Sequence, residues 1–94
     1  MTRFTVHYSG RVQGVGFRYR TVEVARRHAA RGYVQNLPDG RVRLVVEGER
    51  AALTSFIEDV RATMNGLIDR DFVDESEATG EFGPAIRAGV EVRY

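Results

Sequence analysis

The sequence predicts a two-layer α/β sandwich in the order β-α-β-β-α-β. Two helices cover one face of an antiparallel sheet, and a short extra strand follows at the C-terminal end. Three observations carry this reading. Segments near residues 3, 41 and 90 alternate apolar and polar residues at the period of a strand. Two intervening segments repeat apolar residues at helical spacing, and a Pro-Asp-Gly turn joins the two middle strands.

Arg3–Ser9 alternates Phe4, Val6 and Tyr8 with Thr5 and His7 and reads as the first strand, followed by the glycine-spaced loop Gly10–Gly16. A helix is expected from Phe17 to Ala30, with Tyr19, Val22, Ala25 and Ala29 along one face and Gly32 as its stop. Gly32–Leu37 reads as the second strand. Pro38-Asp39-Gly40 is a tight turn, because proline presets φ and glycine supplies a positive-φ position. The third strand, Arg41–Glu47, directs Val42, Leu44 and Val46 inward and Arg41, Arg43 and Glu47 outward. Glu49–Met64 is the most regular helix, with Leu53, Phe56, Ile57, Val60 and Met64 on one stripe.

Leu67–Glu75 is expected to be a strand, although Asp69, Arg70 and Asp71 spoil its alternation, and residues 76–84 an acidic loop. The chain closes on a strand in which Ala88, Val90, Val92 and Tyr94 alternate with Gly89, Glu91 and Arg93. Right-handed crossovers put both helices on the same face of the sheet. This is the ferredoxin-like α/β (α+β) sandwich, formed by residues 1–94 as one domain. It hosts many functions and decides none.

Composition narrows the chemistry. A chain of 94 residues has room for one core. It has no cysteine, which removes disulfides, thiolate metal sites and cysteine nucleophiles. All 14 basic residues are arginine, which removes P-loop and Schiff-base lysine chemistry. Residues 1–50 hold ten arginines against four acids, whereas residues 51–94 hold four against nine. The basic half favours an anionic ligand. No apolar run exceeds three residues and the start lacks a signal-peptide stretch, so a cytoplasmic protein without a membrane span is expected.

The loop Gly10–Gly16 is the first candidate for chemistry. Its glycines let successive N–H groups turn inward, and the helix that follows adds its positive end, together an anion cradle. Arg18 in the helix's first turn is misplaced for the helix dipole, and a bound phosphate would reverse that. Asn36, at the end of the second strand, could donate to a phosphate oxygen or accept from a water while staying neutral. Read locally, a plain glycine connector, a solvated arginine and a turn-initiating asparagine remain open.

Taken together these residues carry a resemblance. Gly10-Arg11-Val12-Gln13-Gly14-Val15-Gly16-Phe17-Arg18 is similar to the first signature of the acylphosphatase family. Gly32-Tyr33-Val34-Gln35-Asn36 with Gly40, Val42 and Gly48 is similar to the second, and Val90-Glu91-Val92-Arg93-Tyr94 resembles the family's ending. The resemblance implies the ferredoxin-like fold and hydrolysis of the carboxyl–phosphate bond of acyl phosphates, without metal, cofactor or covalent intermediate. It implies that Arg18 binds the phosphoryl group with the loop amides of Gln13, Gly14, Val15, Gly16 and Phe17, while Asn36 orients the attacking water in line. The partners it implies are a small acyl phosphate and inorganic phosphate as product or inhibitor; a monomer without membrane or nucleic-acid partner is expected. The chain departs from the family pattern at Tyr8, at His28-Ala29-Ala30, at Leu37 in place of the common threonine and at Asn65-Gly66-Leu67.

Competing features are weaker. His7 reads as an exposed strand residue and His28 as a helix-face residue, neither a phosphohistidine nucleophile. Asp69-Arg70-Asp71 lacks the rest of an aspartyl phosphotransferase, and Asp74, Glu75, Glu77 and Glu81 read as a solvated acidic face. The alternative function is a nucleic-acid- or phosphate-binding module of the same fold without catalysis. Against it, Arg41–Glu47 offers no aromatic residue for base stacking.

Overall fold

The computed structural model describes residues 1–83 and 89–94. The elements are β1 Thr2–Gly10, α1 Phe17–Ala25, β2 Arg31–Asn36, β3 Val42–Gly48, α2 Arg50–Thr63, β4 Ile68–Glu77 and β5 Gly89–Arg93. Ala88, expected in the last strand, and position 84 of the expected acidic loop lie outside the described residues. Among the described residues, no helix is long and apolar enough to cross a membrane.

The strands form one sheet in the order β4-β1-β3-β2-β5. β1 pairs antiparallel with β3 and β4, and β2 antiparallel with β3. β5 runs parallel to β2, so the sheet is antiparallel over four strands and mixed at this edge. One register row matters for function. Tyr8 lies opposite Val42, and Val42 opposite Asn36, so β3 carries Asn36 to the end of the sheet where β1 runs into its glycine loop.

Alternation works as expected on the helix-covered face. Phe4, Val6, Tyr8, Val34, Val42, Leu44, Val46 and Val90 join one buried cluster. α2 adds Leu53, Phe56, Ile57 and Val60, with Met64 buried just past its end. Each such side chain contributes about 1.5–3 kcal/mol when fully buried, which makes the stripe the main anchor of this helix.

α1 departs from expectation. Its buried residues are Phe17, Thr21, Val24 and Ala25, whereas Tyr19 is 58% exposed and Ala29 also faces solvent. Phe17 sets this face by packing its ring 5.1 Å from that of Tyr8. Thr21 can be buried because its hydroxyl donates to the Phe17 carbonyl at 2.9 Å. The helix ends five residues early: the amides of Arg26, Arg27 and His28 bond three residues back, to Glu23, Val24 and Ala25, tightening the chain. Gly32 is therefore part of β2, not a helix stop; a side chain there would run into the Val45 carbonyl of β3.

β4 is an edge strand, and its charges explain its poor alternation. Asp71 pairs with Arg61 of α2 at 2.6 Å and Glu75 with Arg50 at 3.0 Å. Glu47, expected to point outward, is 1% exposed. It does lie on the face away from the helices, but residues following β4 cover it there. Its carboxylate accepts from Arg3 Nε, the Thr79 amide and hydroxyl and the Gly80 amide, at 2.8–3.0 Å.

Burial alone would push the Glu47 carboxyl up, but the Thr79 N–H, the Arg3 guanidinium and the Gly80 N–H together hold it below its ordinary value. The resulting stability is full above the unfolded glutamate pKa, about 4.3, and is lost as pH falls through the lower folded-state value. Glu47→Gln is expected to cost about 2–3 kcal/mol at pH 7. The gap in melting temperature from the parent should close below about pH 4; a constant gap from neutral to acid pH would contradict this role.

Candidate active site

The site is built where β1 hands over to α1. Val12 is 1% exposed and plugs the middle of the loop into the core. Gly14 and Gly16 take φ of 74° and 76°, in the left-handed region that side chains disfavour. No atom lies within 4 Å of where a side chain at either would sit. Conformation, not space, therefore requires glycine at both. The left-handed Gly16 caps α1, no side chain caps its first amides, and its first turn contains no acid. The positive end of the helix is thus left unopposed beside the loop.

A cleft of about 220 Å³ opens at this point. Gly14, Gly16, Phe17, Arg18 and Asn36 line it, with Val12 and Tyr19. Arg18 and Asn36 are 18 residues apart in sequence and are brought to one cleft by the β1-β3-β2 order. Asn36 lines this cleft, and its Oδ1 is buried without a hydrogen-bond partner among the described residues.

Arg18 is half-buried and is held from the C-terminal side. Its guanidinium lies 4.8 Å from the centroid of the Tyr94 ring, and Nη1 donates to the Arg93 carbonyl at 3.4 Å. The Tyr94 and Tyr19 hydroxyls share a 2.7 Å hydrogen bond, which raises the Tyr94 phenol above its ordinary pKa and keeps it neutral. Alternation would have put Tyr94 on the buried side of the last strand. Instead β5 stops at Arg93, and Tyr94 lies beyond it, 84% exposed, reaching Tyr19. The involvement of Tyr19 and Tyr94 was not readable from local pattern, since it depends on β5 lying beside β2.

Gln13 and Val15 do not line the cleft. The Gln13 side chain points to the β2–β3 turn, where Nε2 donates to the carbonyls of Leu37 and Arg41 at 2.8 and 2.9 Å. It clips the loop to the residue that follows Asn36. Gln13→Ala is expected to cost about 1 kcal/mol of stability. The same change should lower kcat/KM by about ten- to a hundredfold, as the two walls lose their register; unchanged kinetics would show that the clip is dispensable.

The remaining candidates lie elsewhere. His28 bonds Asp59 at 2.9 Å, and His7 stands on the face of the sheet away from the helices, opposite Arg43. Burial and the nearby Arg41 and Arg43 hold the His7 pKa below its ordinary value, so it is neutral at pH 7. A larger cleft of about 560 Å³, between the end of α2 and β4, contains the Arg61–Asp71 pair and none of the residues above. Among the described residues no three His, Cys, Asp or Glu side chains converge as metal ligands.

The chain is similar in sequence and fold to proteins of one family. A family model described as Acylphosphatase matches residues 4–82. An acylphosphatase of Archaeoglobus fulgidus is 48% identical over 72 residues, spanning 71% of this chain and 81% of the relative. The crystal structure of acylphosphatase from Bacillus subtilis superposes with a TM-score of 0.85 at 33% identity, covering all of both chains. The crystal structure of T. kodakarensis HypF matches with a TM-score of 0.78 at 34% identity, covering this whole chain but 12% of that one.

Proposed function

The chain belongs to the acylphosphatase family and is an enzyme that hydrolyses acyl phosphates, and from that premise we propose how its cleft performs the reaction. The observation that carries the proposal is that Asn36 and Arg18 line one cleft beside the start of α1, which no side chain caps. The phosphoryl group enters the cradle, where the amides of residues 13–17 and the Arg18 guanidinium meet its oxygens. Asn36 accepts a hydrogen bond from a water and holds it opposite the acyl oxygen.

The water oxygen attacks phosphorus. The phosphorus–acyl oxygen bond breaks, its electron pair leaves with the carboxylate, and the water's proton is lost to solvent. A carboxylate leaves readily, so no general acid is required. Catalysis then rests on alignment and on stabilising charge at the phosphoryl oxygens. Neither a metal nor a covalent intermediate has a part in it. Residues 1–94 act as one domain, a monomer in the cytoplasm. The non-catalytic binding module is not favoured.

The test is hydrolysis of benzoyl phosphate by the purified chain in EDTA. Turnover equal to that without EDTA is expected. Strong inhibition relieved by Mg²⁺ would overturn the metal-free mechanism, and no turnover by folded protein would overturn the proposal as a whole.

A further inference from the structure

The face of the sheet away from the helices carries a second cleft, of about 320 Å³, at the opposite end of β2 from Asn36. Five residues of strand separate Arg31 from Asn36, about 17 Å. Arg31, Arg93, Glu81, Glu91 and Phe82 line the cleft over Gly32 and Gly89. Arg31 is 7% exposed, and its Nε is buried without a hydrogen-bond partner among the described residues. A buried guanidinium nitrogen without an acceptor is costly.

The surrounding carboxylates are already engaged. Glu47 faces Arg31 across the β2–β3 pair, but its oxygens accept from Arg3, Thr79 and Gly80. Glu81 pairs with Arg3, and Glu91 with Arg93 at 3.3 Å. The Arg93 guanidinium lies over the Tyr33 ring, 3.9 Å from its centroid, which places a second guanidinium at the cleft. Gly89 leaves open space where a side chain would stand.

We infer that this cleft is a second anion site, separate from the active site, that binds a small monocarboxylate. The planar guanidinium fork of Arg31 matches a carboxylate through two parallel bonds. The Glu81 and Glu91 carboxylates repel a phosphate dianion more strongly than a monoanion, and Phe82 offers an apolar wall for the organic tail. A carboxylate is also what acyl phosphate hydrolysis releases, so the enzyme's own product belongs to the class this cleft accepts. The product connection rests on the proposed function, but the binding site does not.

The experiment is a benzoate titration of the Arg18→Ala protein, which weakens anion binding in the active site, followed by amide NMR. Saturable shifts are expected at Gly32, Gly89 and Glu91. They should vanish in Arg18→Ala/Arg31→Met and weaken at least severalfold in Arg18→Ala/Arg93→Gln, which tests the same cleft should the Arg31 variant fold poorly. Arg31→Met alone should hydrolyse benzoyl phosphate at the parent rate. Amides that do not move with benzoate, or that move equally in both double variants, would overturn the site. Stronger shifts with inorganic phosphate than with benzoate would overturn the carboxylate assignment. Because the readout is binding, a failure here is distinct from a failure to hydrolyse acyl phosphates.

Discussion

Arg18→Ala is expected to lower kcat/KM for benzoyl phosphate by at least a thousandfold, with the fold and melting temperature essentially unchanged. The loss follows from the charge. Removing one preorganised neutral donor costs about 2.7–4 kcal/mol of transition-state stabilisation, and a guanidinium facing a phosphoryl group contributes more. Stability is spared because, among the described residues, Arg18 makes no ion pair, and its polar contacts there are the Tyr94 ring and the Arg93 carbonyl. Alanine is the better helix former, and a cation in the first turn opposes the helix dipole. KM and kcat should both suffer, since the guanidinium holds the phosphoryl group before and during reaction. Arg18→Lys keeps the charge but not the fork, so it should recover only part of the activity. Wild-type turnover in Arg18→Ala would remove this residue from the mechanism.

Asn36→Ala should lower kcat by about a hundred- to a thousandfold while leaving KM within a few-fold. The contrast with Arg18 is diagnostic, because Asn36 is assigned to the water and not to the substrate. Its Oδ1 is buried and among the described residues nothing bonds it, so its removal breaks no hydrogen bond there at that atom. Asn36→Asp is nearly isosteric but puts a negative charge beside the phosphoryl oxygens, and it should impair binding as well as turnover. Steady-state kinetics of both variants decides the matter. A large rise in KM with kcat intact in Asn36→Ala would reassign the residue to substrate binding.

Much of this organisation was legible before the structure. α2 was readable because Leu53, Phe56, Ile57 and Val60 meet one layer of the core at one period. β1 and β3 were readable because Phe4, Val6 and Tyr8 face the helices together with Val42, Leu44 and Val46. α1 was misread because its buried face is set by Phe17 packing on Tyr8, a contact with a neighbour that periodicity does not contain. The same limit explains Glu47: strand alternation says which face a residue takes, but not whether another segment covers that face. At the candidate site, glycine spacing marked the loop and topology brought Asn36 to it. Tyr19 and Tyr94 escaped because they meet only when the last strand docks on the far edge of the sheet.

That docking has a consequence for how the protein acquires activity. β2 and β3 pair through a short turn, whereas β1 meets β3 from 34–46 residues away, β4 meets β1 from 58–75 residues away and β5 returns to β2 from 58 residues away. Closing so long a loop delays contact formation relative to local pairing. The residues that hold Arg18, Arg93 and Tyr94, arrive with that strand. During refolding, return of enzymatic turnover should therefore lag behind the recovery of helical signals, making catalysis a clock for the long-range pairing of the strands.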